Sequence, residues 1–146
     1  TRLVAHYGFL HKNTGIADAD ENYGIEQLTG SAHNDQLRGN AWSNTLRGDA
    51  GNDILHGRGG TDYLSGGLGV DTFYFMPNYD QDTVVDFEDN VDSIAFRDFN
   101  LTDVASAMSY ATQSGNDVVF EFGNGDVLIV EDMTLLALEN DILYSA

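Results

Sequence analysis

Cysteine is absent, proline occurs once, and only six residues are basic. Each shortage excludes something. Without cysteine there is no disulfide framework and no thiolate chemistry, nucleophilic or metal-binding. Six Lys and Arg against 24 Asp and Glu give a formal charge of −18, which argues against nucleic acid and anionic membranes as partners. Apolar runs are all too short to span a bilayer. The four histidines are His6, His11, His33 and His56, and no H-E-x-x-H occurs. His6 and His11 are five apart, off the i, i+4 spacing of a helical zinc pair. G-x-S-x-G is missing too, so no nucleophile elbow is present and no catalytic residue is singled out. At 146 residues the chain is one domain, or one repeat stack with a cap. It has no initiator Met and no charged-then-apolar leader, and Thr1 reads as a cut inside a larger chain.

What is present is a period of nine. The segment from Glu21 to Tyr74 reads ENYGIEQLT, GSAHNDQLR, GNAWSNTLR, GDAGNDILH, GRGGTDYLS, GGLGVDTFY. The eighth place holds Leu28, Leu37, Leu46, Leu55, Leu64 and Phe73. The sixth holds Glu26, Asp35, Asn44, Asp53, Asp62 and Asp71, and the first is Gly in the last five blocks. A fixed period marks a stacked repeat architecture. The first six residues of each block are glycine-rich and turn; the last three set one apolar side chain between polar ones, a short strand with one buried face. Two blocks close a flattened coil, and coils stack about 4.8 Å apart. Alternate blocks share a side, so Asp35, Asp53 and Asp71 form one column and Glu26, Asn44 and Asp62 the other.

Stacked carboxylates repel. Unit charges about 5 Å apart cost roughly 3 kcal/mol at an effective dielectric near 20. The columns therefore need a cation, and the donors on offer are carboxylates and turn carbonyls left free by a turn that makes no ladder. Hard oxygen donors in flexible loops suit Ca²⁺ better than Mg²⁺, and the repeat lacks the His or Cys that zinc or copper would want. The structural alternative, Asp as a turn residue capping its own backbone, explains one Asp but not a shared period.

These blocks resemble the nonapeptide G-G-x-G-x-D-x-U-x of the RTX (repeats-in-toxin) family. The match is good from Gly30 to Tyr74 and weak from Glu21 to Thr29. The resemblance implies an all-β fold: a right-handed parallel β-roll (β-helix) with a C-terminal β-rich cap carrying a short helix, and Ca²⁺ held between turns two blocks apart. It implies as ligands the sixth-position side chains and backbone carbonyls of places one to four. Carried over, these are Gly48, Asp49, Ala50 and Gly51; Gly57, Gly59 and Gly60; Gly66, Gly67, Leu68 and Gly69; and Ser31 and His33. The best site pairs Asp53 with Asp71, the next Asp35 with Asp53. Asn44 with Asp62 is a weaker third, because an amide brings no charge. Glu26 with Asn44 departs most from the pattern. His33 and Trp42 stand where the repeat has its fourth-position Gly. Three to five ions are expected.

The organisation expected is a leader or cap over residues 1–20, the roll over 21–85 and a C-terminal cap over 86–146. Arg2–Leu10 has strand character, followed by a polar turn Asn13–Gly15. After Pro77, PNYDQDTVV fits a last degenerate block with Asp82 in place six and Val84 in place eight, two residues being inserted at Phe75 and Met76. Asp80, Asp82 and Asp86 would then complete a terminal cation site, unless they are a solvated acidic turn. Thr83–Phe87 and Asp92–Phe96 read as strands, and Thr102–Tyr110 as a helix capped by Asn100 or Thr102. Asp117–Phe122 and Asp126–Val130 read as a hairpin on Gly123-Asn124-Gly125. Leu135–Leu138 reads as a helical turn and Ile142–Tyr144 as a last strand.

This half is similar to the C-terminal cap common in RTX proteins, and Asp141-Ile142-Leu143-Tyr144 resembles the uncleaved C-terminal signal of type I secretion. The implied function is a non-catalytic calcium-binding module of a secreted, extracellular bacterial protein, folding on Ca²⁺ and assisting export through the type I secretion machinery; the absence of cysteine fits. Two other readings stay open. Arg38, His56 and Tyr74, in the ninth places of alternate blocks, form an outward stripe beside Gln36, Ile54 and Thr72. That stripe suits an acidic polysaccharide, as in the alginate-epimerase repeat modules the chain also resembles, or is an ordinary strand surface. A segment of a structural adhesin is the other reading.

Overall fold

The computed structural model describes residues 15–18 and 26–145. Eight short strands alternate between two sheets: β1 (Gly15–Asp18), β2 (Glu26–Thr29), β3 (Asp35–Arg38), β4 (Asn44–Arg47), β5 (Ile54–His56), β6 (Thr61–Ser65), β7 (Thr72–Phe75) and β8 (Gln81–Val84). Then come β9 (Ser93–Phe96), helix α1 (Val104–Met108), β10 (Ala111–Ser114), β11 (Asp117–Gly123), β12 (Asp126–Val130), helix α2 (Leu135–Leu138) and β13 (Ile142–Tyr144). One sheet runs β1-β3-β5-β7-β9-β13 and the other β10-β11-β12-β8-β6-β4-β2. The result is a β-solenoid of about four turns with two short helices. Among the described residues no helix is long and apolar enough to cross a membrane.

The eighteen-residue coil fixes the register. Leu37 pairs with Leu55 and Leu55 with Phe73 in one sheet; Leu28 pairs with Leu46 and Leu46 with Leu64 in the other. All six side chains are buried in one continuous core. Each contributes about 1.5–3 kcal/mol by burial, which no single block achieves alone. The degenerate block keeps this order: Asp62 pairs with Asp82 and Leu64 with Val84. The first inserted residue, Phe75, extends β7 and turns inward beside Phe73.

The sheets do not stop at residue 85. β9 and β13 continue one in parallel, and β12 joins β8 in parallel in the other. An aromatic plug fills this end: Phe99 stacks on Phe122 at 4.0 Å, and Phe96 lies 5.0 Å from both Phe120 and Phe122. The β11–β12 hairpin turns on Asn124 and Gly125, both at positive φ (56° and 98°), the geometry of a two-residue type I′ turn.

Several expectations are corrected. Helix α1 is capped by Asp103, whose carboxylate accepts from Ser106 N at 2.7 Å; neither Asn100 nor Thr102 does this. β10 was not foreseen, because ATQS is a polar edge strand with three exposed residues and no alternation. Gly15 opens a strand paired with Asp35 rather than closing a turn. Arg2–Leu10, Asn13, His6 and His11 lie outside the described residues. The turns also make a ladder after all. Leu68 N donates to Asp49 O at 2.9 Å, Gly51 N to Leu68 O at 2.8 Å, Ala50 N to Ser31 O at 3.3 Å and Gly59 N to Asn40 O at 3.1 Å.

Candidate metal centre

The sixth-position side chains do not belong to the turn; they face inward with the leucines. Strands β3 and β4 begin at Asp35 and Asn44, and period-two alternation then puts places six and eight on one face. Asp35, Asn44, Asp53, Asp62, Asp71 and Asp82 are accordingly buried, at 4 % exposure or less. Glu26 opens β2 in register with Asn44; its side chain lies outside what is described.

One carboxylate oxygen of each stitches coils together. Asp53 Oδ1 accepts from Asp35 N at 2.7 Å, Asp62 Oδ1 from Asn44 N at 2.7 Å, and Asp71 Oδ1 from Asp53 N at 2.8 Å. The column continues through Asp92, whose Oδ1 accepts from Asp71 N at 2.9 Å and whose Oδ2 accepts from Glu88 N at 3.0 Å. Asp92 was missed because it lies twenty-one residues beyond Asp71 rather than eighteen. The signal available was Asp92-Ser93-Ile94, the same acid–x–apolar step as Asp53-Ile54-Leu55.

The second oxygen is the informative one. Asp53 Oδ2, Asp62 Oδ2, Asp71 Oδ2 and both oxygens of Asp82 are buried without a hydrogen-bond partner. Leaving such groups unpaired and charged is expensive. Burial, opposed by the Asp35 N–H and reinforced by the charges of Asp71, Asp35 and Asp49, pushes the Asp53 carboxyl up to about 6. Burial raises Asp71, with Asp86 and Glu88 adding repulsion. Burial raises Asp62 and Asp82 as well, and for Asp82 the facing charge of Asp62 comes next. Asp92 is raised by burial.

The position-one glycines make room for these oxygens. A Cβ on Gly48 would run into Asp53 Oδ2 and the Gly66 carbonyl; one on Gly30 would meet the Gly48 carbonyl at 2.5 Å and Asp35 Oδ2 at 2.8 Å. The carbonyls of Gly48, Gly57 and Gly66 accept no hydrogen bond among the described contacts, whereas those of Asp49, Leu68 and Ser31 are committed to the turn ladder. Asp49, Arg58 and Gly67 in place two, and Gly51, Gly60 and Gly69 in place four, all take positive φ. Ser31, Asn40, His33 and Trp42 do not, so the turns of blocks two and three have a different backbone. They also satisfy themselves: Asp35 Oδ2 accepts from Ser31 N at 2.5 Å and Ser31 Oγ at 2.8 Å, and Asn44 Oδ1 from Asn40 N at 2.8 Å.

Asp80 and Asp86 do not converge with Asp82. Asp80 Oδ2 accepts from Gly60 N at 3.0 Å, while Asp86 accepts from Gly66 N at 2.9 Å, Gly67 N at 3.0 Å and Ser65 Oγ at 2.6 Å. The two cap turns on opposite edges of the roll. Among the described residues no three His, Asp or Glu side chains gather as one metal cluster. The donor set is therefore two sixth-position side chains with backbone carbonyls. All-oxygen, anionic and held in turns, it fits Ca²⁺.

On the outer face, His56 stacks on Tyr74 at 4.4 Å and 18°, Arg97 lies 5.5 Å over the Tyr74 ring, and Arg38 is the register partner of His56. Burial, then Arg38 and Arg58, push the His56 imidazole down to about 4.

A parallel solenoid with two inward ladders of unneutralised carboxylates defines a cation-dependent repeat module. Residues 43–73 match the family model of the RTX calcium-binding nonapeptide repeat, and this chain carries those repeats. Among solved structures it is similar to the extracellular lipase LipA from Serratia marcescens (24 % identity, TM-score 0.62), covering 88 % of this chain but only 21 % of the lipase. It is also similar to a subunit of the mannuronan C5-epimerase from Azotobacter vinelandii (25 % identity, TM-score 0.51), covering 92 % of this chain and 81 % of that one. No curated protein sequence matches it significantly.

Proposed function

We propose that the chain is a non-catalytic module that folds when calcium binds its RTX repeats, and that it supports export and extracellular stability of a larger parent protein. The observation that carries this is the set of buried, partnerless carboxylate oxygens beside partnerless glycine carbonyls. Asp53 with Asp71 and Asp35 with Asp53 would hold ions in one column, and Asn44 with Asp62 in the other. When bound, calcium supplies the positive charge these oxygens lack. The chain's own residues do the rest. Oδ1 of each carboxylate locks one coil to the next, and the leucines then close over a neutralised edge. At low calcium the ladders repel and the blocks, too small to bury one leucine each, stay open. At around millimolar calcium several sites with dissociation constants near 10⁻⁴–10⁻³ M stabilise the fold by mass action.

Circular dichroism with and without EDTA tests this, repeated on Asp53→Ala, Asp71→Ala and Asp35→Ala. Asp53 serves two sites, so its loss raises the calcium requirement most. Asp35 changes it least, because Ser31 already occupies its free oxygen. A chain equally compact in EDTA and calcium refutes the reading. The secreted location and the type I machinery as partner rest on the resemblance of Asp141–Tyr144 to an export signal. Fusing residues 86–146 to a passenger and assaying export would check them.

A second reading is favoured by the Arg38–His56–Tyr74–Arg97 stripe, whose stacked rings and guanidinium groups suit a linear acidic polysaccharide. Titration with alginate oligomers separates the two; absence of binding leaves only the first.

A further inference from the structure

Asp62 and Asp82 end the second column, past the matched repeat residues 43–73. They are separated by twenty residues instead of eighteen, and the turn that delivers Asp82 opens on Pro77 rather than glycine. Both side chains are 0 % exposed. Three of their oxygens, Asp62 Oδ2 and both of Asp82, have no partner. Two of these oxygens aim at one point. A Cβ on Gly57 would collide with Asp62 Oδ2 and meet Asp82 Oδ2 at 2.8 Å. The glycines of the other column are each approached by a single carboxylate, Gly48 by Asp53 and Gly66 by Asp71. No guanidinium bonds either Asp62 or Asp82, and Leu128, the register partner of Asp82, walls the far side. Two opposed carboxylates in so dry a place require a countercharge.

We propose that Asp62 and Asp82 form a divalent-cation site of their own, the tightest in the protein, clamping the last repeat turn to the strand that begins the C-terminal half. The inference rests on the calcium reading above and goes beyond it by locating the strongest demand for an ion outside the nonapeptide pattern. Two full carboxylates converging on one point bring more charge than the Asn44–Asp62 pair, and ligand charge count sets affinity in such sites.

The test is calcium titration by calorimetry of the full chain, with folding in saturating calcium checked by circular dichroism. Asp82→Asn is expected to weaken the tightest class of site by about tenfold or more, in line with the loss of one ligand charge. Asp53→Asn is expected to leave that class in place while removing weaker sites. Should Asp82→Asn keep the tightest class, or Asp53→Asn abolish it, the proposal is wrong while the calcium reading stands. If neither variant changes binding, both fall. Because Asp82→Asn can fail to fold, the wild-type chain provides a second measurement. Substoichiometric Mn²⁺ added to the folded chain is expected to broaden the methyl resonances of Leu64, Val84 and Leu128 before those of Leu37 and Leu55. The reverse order, or no order, overturns the proposal.

Discussion

Asp53→Asn should stabilise the chain without calcium and weaken it with calcium. The Asp53 side chain is 1 % exposed, and its carboxyl is pushed from 3.8 to about 6. A shift of about two units at 1.36 kcal/mol each means that holding this one carboxylate ionised at neutral pH costs the calcium-free fold roughly 3 kcal/mol. The folded-state value is raised, so the stability tied to the protonated form is complete below about pH 4 and is lost as pH rises through about 6. Asparagine keeps an oxygen for the Asp35 N–H and puts an NH₂ beside the Gly66 carbonyl, which has no donor. In EDTA at pH 7 the ratio of folded to unfolded chain should therefore rise by roughly a hundredfold, and the gain should vanish by pH 4. In millimolar calcium the sign reverses, because two sites lose a charged ligand. Urea denaturation followed by circular dichroism in both buffers measures this. A variant that is less stable than wild type in EDTA at pH 7 would show that charge burial is not what opens the calcium-free roll.

Other consequences follow from the same groups. In EDTA the wild-type chain should gain ordered structure by circular dichroism as pH falls from 7 toward 4, because Asp53, Asp62, Asp71, Asp82 and Asp92 all bind protons more tightly when folded. Leu46→Ala removes a side chain that is 0 % exposed between Leu28 and Leu64, and should cost about 2–5 kcal/mol in calcium-loaded urea denaturation. Ser31→Ala deletes the hydroxyl that donates to Asp35 Oδ2 at 2.8 Å; it should cost about 1 kcal/mol in EDTA and less in calcium, where the freed oxygen gains an ion.

The roll was legible because its period is rigid. Leucine, glycine and the sixth-position acids repeat together, so the register of Leu37 on Leu55 and of Leu28 on Leu46 follows from counting. Asp82 remained legible across two inserted residues because Val84 keeps its place behind it. Asp92 did not, since three extra residues and an acidic loop separate it from Asp71. Counting also fails where side chains choose between partners. Asp80 and Asp86 read as ligands beside Asp82, yet each caps the open N–H groups of a different turn. Ser31 and Asn40 look like filler in place two, yet they occupy the oxygens of Asp35 and Asn44. Burial of the sixth position was implicit in the acid–x–leucine step, but reading the acid as part of the turn concealed it.

These choices give the solenoid a polarity. At the N-terminal side the turns holding His33 and Trp42 lack positive φ and quench their own polar side chains. From Gly48 onward the turns adopt left-handed residues in places two and four, and the carboxylates they hold, Asp53, Asp62 and Asp71, each keep an oxygen without a donor. The same end of the roll abuts the aromatic plug built on Phe75, Phe96 and Phe122. Apolar burial and uncompensated charge are thus concentrated together, where β7 and β8 meet β9 and β12. That juxtaposition makes the aromatic core's closure contingent on neutralising the charges beside it, because Asp82 and Leu128 are register partners on adjacent strands and cannot be buried separately.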